Sequence, residues 1–178
     1  MFSHTNARGL MKWYVLYTRP NHERAVYTRL HQGFEVYLPM VERWPQYHKQ
    51  ARKKSTLLFP RYLFVRCYLD THTYLELITV PGVMRLVEKV EGEFLLLCDE
   101  EMHTLQRLHN TGVAIERGEY PIAGQWVQVT QGPLQGITGV LREGSRTTLV
   151  VPIHSLRESI AVEVSRAQVI PCAARQDM

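Results

Sequence analysis

Chemistry by a chain of this size would need a nucleophile with its base, a metal-ligand set or a phosphate loop. The eight histidines, at 4, 22, 31, 48, 72, 103, 109 and 154, are scattered. They stand at no metal-ligand spacing from the three cysteines, Cys67, Cys98 and Cys172. No GxxxxGK(S/T), GxSxG or HExxH occurs. Asp99-Glu100-Glu101 imitates a metal site, but three successive acids suit the positive end of a helix dipole better. The expectation is a protein that is not an enzyme and takes no cofactor and no metal.

Charge gives a second kind of chemistry. The 178 residues sum to +4, with a pI near 9.0, which permits a nucleic-acid partner without demanding one. The distribution says more. Between Glu42 and Arg66 lie seven Lys/Arg, namely Arg43, Lys49, Arg52, Lys53, Lys54, Arg61 and Arg66, and Glu42 is the only acid. Between Glu88 and Glu101 the sign reverses, with six acids against Lys89 alone. A polyanion is attracted to the first segment and repelled by the second. The plain alternative is two solvated loops of opposite sign.

Several classes are excluded. Apolar runs such as Phe94–Cys98 and Leu149–Ile153 are far short of the ~20 residues a membrane span needs. The stretch MFSHTNARGLMK has no apolar core of a secretory signal. Three cysteines with no CxxC pair read as reduced thiols in a cytoplasmic protein.

The elements that position these residues follow from periodicity. Trp13–Thr18 is aromatic and β-branched and predicts a strand buried on both faces. Asn21 is suited to cap a helix carrying Glu23, Val26 and Leu30, which Gly33 stops. Phe34–Met40 predicts a second strand, and Leu57–Cys67 a long apolar one. The basic loop Gln46–Ser55 between them predicts a hairpin tip. Thr71 or Thr73 is placed to cap a short helix through Ile78, and Val83–Val87 resumes strand. Asp99 is placed to cap a helix with Met102, Leu105 and Leu108 at helical spacing.

Residues 110–118 show no periodicity and predict a linker. Beyond them come five short β runs: Trp126–Thr130, Ile137–Arg142, Thr147–Ile153, Ile160–Val164 and Val169–Ile170. Such runs predict a small closed barrel, which removes exposed strand edges. The fold class is therefore α+β followed by a β-barrel, with domains at 11–109 and 119–172.

Two motifs carry a resemblance. Residues 124–141 read Gly-x-x-Val-x-Val-x-x-Gly-Pro-x-x-Gly-x-x-Gly-Val-Leu, which resembles the KOW motif. KOW barrels occur in ribosomal proteins and elongation factors. Ahead of it stand WYVLYT (13–18), KKS (53–55), LFPRYLFV (58–65) and VPGVM (80–84) in that order. Together, over about Lys12 to Pro171, they resemble the NusG family of transcription elongation factors.

The resemblance implies a four-stranded antiparallel sheet with flanking helices, then a five-stranded SH3-like barrel. It implies that the first domain docks on the clamp helices of the largest subunit of bacterial RNA polymerase. By motif match Tyr17, Phe59, Tyr62 and Phe64 lie at or beside that contact, with ordinary core aromatics as the alternative. Strand parity puts Tyr62 and Phe64 on one face and Leu63 and Val65 on the other. Arg19, His22, Arg24 and Arg29 are implied to meet the non-template strand, and Lys49, Arg52, Lys53 and Lys54 upstream DNA. Solubilising charge is the alternative for all eight.

LFPRYLFV and WYVLYTRPNHERAV look more like the operon-specific antiterminators of the RfaH type than the general factor. The barrel agrees. Where general factors carry a Phe-Gly-Arg loop for the termination factor Rho or the ribosome-linked NusE protein, this chain has Ile153, His154, Ser155 and Leu156. That puts Rho binding in doubt and leaves NusE binding open. The resemblance implies a monomeric antitermination factor, with a general elongation factor or a ribosomal-type RNA-binding module as alternatives. The β-branched residues at 127, 129, 140, 150, 151, 160, 162 and 164 predict strands rather than a helical hairpin in the second domain.

Overall fold

The computed structural model describes residues 10–43, 54–121 and 123–174. Its first elements are β1 (Lys12–Thr18), α1 (Glu23–Leu30), β2 (Glu35–Tyr37), β3 (Met40–Arg43), β4 (Lys54–Leu57) and β5 (Tyr62–Cys67). Next come α2 (Thr71–Ile78), β6 (Val83–Leu86), β7 (Glu88–Val90), β8 (Glu93–Phe94), β9 (Leu96–Leu97) and α3 (Asp99–Asn110). The last six strands are β10 (Ile115–Gly118), β11 (Gln125–Val129), β12 (Thr138–Glu143), β13 (Thr147–Ile153), β14 (Glu158–Glu163) and β15 (Val169–Pro171). The chain divides into two compact units, Met1–Pro39 with Phe59–Met102 and Met40–Leu58 with His103–Met178. No helix is long and apolar enough to cross a membrane among the described residues.

The first unit is organised by β1. It pairs antiparallel with β5 on one side, while β6 and β9 lie end to end along the other, and β2 flanks β5. Successive strand residues point to opposite faces. Val15 and Leu16 are both fully buried, as are Leu63, Phe64 and Val65, so this sheet is covered on both faces. Each such side chain contributes about 1.5–3 kcal/mol of burial. Helix α1 buries Glu23, Val26 and Leu30. Helix α2 starts at Asp70, whose carboxylate accepts the Thr73 N–H at 2.7 Å. That bond holds the Asp70 carboxyl below its ordinary value.

The second unit holds a six-stranded antiparallel sheet in the order β10-β14-β13-β12-β11-β15, and the separate β3–β4 hairpin. Its core is aliphatic, with Leu149, Val151, Ile153, Ile160 and Val162 buried. Gly139 is needed where β12 meets β13: a Cβ there would lie 2.6 Å from the Val150 carbonyl oxygen. Any side chain would push the strands apart.

Several expectations are corrected. Asn21 does not cap α1; it takes φ 63°, which Asn tolerates, and His22 occupies the cap position without a side-chain hydrogen bond. The apolar run 57–67 breaks into β4 and β5. Pro60 lacks an N–H, Arg61 takes φ 73°, and the Tyr62 N–H returns to the Phe59 carbonyl at 3.3 Å. Asp70, not Thr71 or Thr73, caps α2. The start of α3 is closed by Glu101, whose carboxylate accepts the Cys98 N–H at 3.3 Å.

Part of the stretch expected as linker is strand. Residues Ile115–Gly118 form β10 on β14, with Ile115 buried opposite Val162. With β10 the second sheet has six strands rather than five, and β9 beside β1 gives the first sheet five rather than four. Leu63, Phe64 and Val65 are all fully buried, so both faces of β5 are covered at these positions.

The cysteines are unbridged: Cys67 is buried, Cys98 exposed and Cys172 half-buried. Burial pushes the Cys67 thiol up to about 12. Thiol alkylation of the native protein, followed by peptide mass spectrometry, should modify Cys98 and spare Cys67 until denaturant is added. Equal labelling of the two in buffer would contradict the placement of Cys67.

Candidate functional site

The exposed chemistry of the first unit converges on one cross-strand row. Tyr62 of β5, Tyr17 of β1 and Arg85 of β6 are direct neighbours across three strands. The Tyr17 and Tyr62 rings lie 5.6 Å apart, and the Arg85 guanidinium carbon is 5.3 Å from the Tyr17 ring centre. A register shift between Tyr17 and Thr18 leaves Met84 as an extra residue in β6, 53% exposed. Bulges of this kind re-aim side chains at a sheet edge.

Arg61 completes the row from the turn before β5. Its guanidinium carbon sits 4.2 Å from the Tyr17 ring centre, and its Nη2 donates toward the Met84 sulfur at 3.4 Å. The turn is locked at several points. The Thr18 N–H donates to the Arg61 carbonyl at 2.9 Å, and Arg61 Nε donates to the Thr18 carbonyl at 3.3 Å. The Arg61 N–H donates at 3.0 Å to the carboxylate of Glu23, which is only 4% exposed. The first-turn acid of α1 therefore fixes the backbone of Arg61. A long side chain at positive φ is uncommon, and such strain concentrates at functional positions.

The four aromatics expected at this contact separate into two pairs. Tyr17 and Tyr62 are half-buried partners in the row, whereas Phe59 and Phe64 are 1% and 0% exposed and belong to the core. Arg85, Met84 and the posture of Arg61 were not foreseen. Their signal is cross-strand register, which residue types alone do not reveal.

The expected DNA-contact residues are also divided. Arg19, His22, Arg24 and Arg29 are all exposed at or on α1. The Arg19 N–H donates to the Gly82 carbonyl at 2.8 Å, and His22 Nδ1 lies 3.0 Å from the Pro20 carbonyl oxygen. Gly82 has φ 106°, and a Cβ there would meet His22 and Val26 at 3.0 Å, so this turn packs tightly under the helix start. Arg24 and Arg29 are five residues apart, about 140° around the helix, and so do not share a face. Arg24 shares its face with Tyr27 and His31, whose rings stack at 5.3 Å and 12°. Lys49, Arg52 and Lys53 lie outside the described residues, and Lys54 is described as backbone in β4.

In the second unit, Ile153 is buried at the end of β13, and His154–Leu156 form a 3-10 turn closed by Arg157 at φ 52°. His154 faces a pair of aromatics: the Tyr120 hydroxyl lies 2.5 Å from Nδ1, and the Trp126 ring stacks at 6.3 Å and 14°. Ser155 and Leu156 are half-buried. Elsewhere four arginines face glutamates. Arg117 pairs with Glu158, Arg142 with Glu119 at 3.4 Å, Arg146 with Glu163 at 3.0 Å, and Arg166 with Glu143. A shallow cavity of about 400 Å³ beside these pairs, floored by Thr148, Val150 and Ala161, carries both signs on its walls. Among the described residues no group of three His, Cys, Asp or Glu is placed to hold a metal ion.

Comparison with known proteins gives three results. Residues 11–106 match the family model described as transcription termination factor nusG. No curated protein matches. Among solved structures, the chain is similar to NusG of Thermotoga maritima at 24% identity and a TM-score of 0.58, covering 90% of this chain and 96% of that one. At that identity the likeness concerns the fold. It also aligns with the MjSpt4:Spt5 complex in conformation A at 16% identity and a TM-score of 0.28, over 90% of this chain and 98% of that one.

Proposed function

The chain belongs to the NusG family of transcription factors, and we propose that it binds bacterial RNA polymerase and promotes processive elongation as an antitermination factor. The observation that carries this reading is the row Tyr62–Tyr17–Arg85 with Arg61 and Met84. It is a half-buried aromatic pair set in a sheet and bordered by exposed Met84 and Arg85, a mix of apolar centre and charged rim such as interface hot spots have. The first unit docks by this row on the clamp helices of the largest subunit. The exposed basic and aromatic residues of α1 face non-template DNA, and Lys49, Arg52, Lys53 and Lys54 face upstream DNA. The polymerase-binding domain is taken as 11–109 and the KOW barrel as 119–172, with β10 adding a strand ahead of the barrel.

Such a factor acts by linkage. It binds the closed clamp better than the open one and shifts that equilibrium by no more than its differential affinity. Paused states that need an open clamp are depleted.

Antitermination is preferred because the β13–β14 turn carries His154 and Ser155, with His154 engaged by Tyr120 and Trp126. That disfavours Rho; NusE remains the candidate partner of this turn. A general elongation or termination role is the second reading, favoured by the description of the matched family. The paired arginines of the second unit disfavour a ribosomal-type RNA-binding module, since phosphates must compete with glutamates already in place. Single-round transcription through a terminator, with and without the full chain, decides between these readings. Increased readthrough is expected; unchanged readthrough and pausing would remove the antitermination reading.

A further inference from the structure

We propose that the Tyr17 row is a carboxylate-receiving site, in which Arg61 and Arg85 grip an aspartate or glutamate side chain of the docking partner. This rests on the polymerase-binding reading and adds to it the chemistry of the group recognised.

Both guanidinium groups are held against one ring, at 4.2 and 5.3 Å from its centre. Among the described residues neither forms an ion pair with a carboxylate. The nearby acid, Glu23, is buried and accepts the backbone N–H of Arg61. Two cations against one buried acid leave the site net positive. Other arginines are matched by acids: Arg66 reaches Glu35 at 3.4 Å and Asp99 at 4.0 Å, and four arginines of the second unit face glutamates. Among the described residues Arg61 and Arg85 thus stand against one ring with no carboxylate partner. A guanidinium held against an aromatic ring suits the two oxygens of a carboxylate and has less rotamer entropy left to lose on binding.

Arg61 points the same way. Its φ of 73° favours glycine, yet the position carries a long cation. Exposed Met84 and the Tyr17–Tyr62 pair border the cations, and that composition fits a protein surface better than a phosphate backbone.

The test is a titration of the full chain against bacterial core RNA polymerase over a range of KCl concentrations. The variants are Arg85→Gln, Arg85→Lys and Arg61→Gly, with thermal melting of each to establish folding. Arg85→Gln and Arg61→Gly should bind roughly ten-fold or more weaker and with a flatter salt dependence, and Arg85→Lys should fall between. Arg61→Gly should melt no lower than Arg85→Gln, since glycine relieves the positive φ. Parent-like binding and salt dependence in all three would overturn the carboxylate site while leaving the polymerase reading intact. No binding by the parent chain would overturn both. A parallel titration with single-stranded DNA separates the phosphate alternative: if Arg85→Gln weakens DNA binding and spares polymerase binding, the site reads phosphate and the proposal fails.

Discussion

Phe64→Ala is expected to cost the first unit about 3–5 kcal/mol, the usual range for emptying a buried aromatic position. Phe64 is fully buried at the centre of β5, with Val15 on one side, Tyr37 on the other and the Tyr37 ring 6.4 Å away. Domains of this size are stable by only about 5–15 kcal/mol, so the loss takes a large share of the total. Burial also pushes the Tyr37 phenol up from its ordinary value, so that ring stays neutral across the working pH range. Urea unfolding followed by circular dichroism should show the midpoint falling sharply for Phe64→Ala. Phe64→Leu should cost less, because most of the volume remains. A parent-like midpoint for the alanine variant would mean that Phe64 does not pack as described. The result also bears on function: loss of polymerase binding by Phe64→Ala would report instability rather than contact.

What the sequence revealed, and what it hid, follows one physical division. Periodicity and residue type located β1, β5, α3 and β11–β15, because burial selects side chains at fixed spacing. Met102, Leu105 and Leu108 are buried at the spacing that predicted them. The same reasoning missed β10, whose single buried anchor is Ile115, since one apolar residue in a polar stretch makes no pattern. It missed the break at Pro60-Arg61 because the apolar run continues through the turn. Parity told which residues of β5 share a face but not that both faces are covered at Leu63-Phe64-Val65, since burial depends on what packs above and below the sheet. The candidate site was half legible. Tyr17 and Tyr62 could be named from their motifs, but Arg85 enters only through the register that sets it opposite Tyr17. Arg61 enters only through a backbone conformation fixed by Glu23, 38 residues away in the chain.

Tyr17→Ala should weaken binding to core RNA polymerase by roughly thirty- to hundred-fold, the penalty of a central hot spot of about 2–3 kcal/mol. Tyr17 touches Tyr62, Arg61 and Arg85. Its ring packs on Tyr62 at 5.6 Å and carries both guanidinium groups, so removing it loses contact area and frees two cations together. Arg85→Gln removes one cation and leaves the platform, which is why its expected loss is smaller. Each exposed cation–π contact contributes about 0.5–1 kcal/mol to the fold, so the alanine variant should still fold, with a modestly lowered melting temperature. Tyr17→Phe keeps the ring and should bind within a few-fold of the parent. Phe64→Leu supplies the control, being destabilised beneath the surface without altering it. If Tyr17→Ala bound no worse than Phe64→Leu at a temperature where both are folded, the row would not be the docking surface. The polymerase contact would then have to be sought on another face of the first unit, with the stacked Tyr27–His31 pair of α1 as the next aromatic surface to vary.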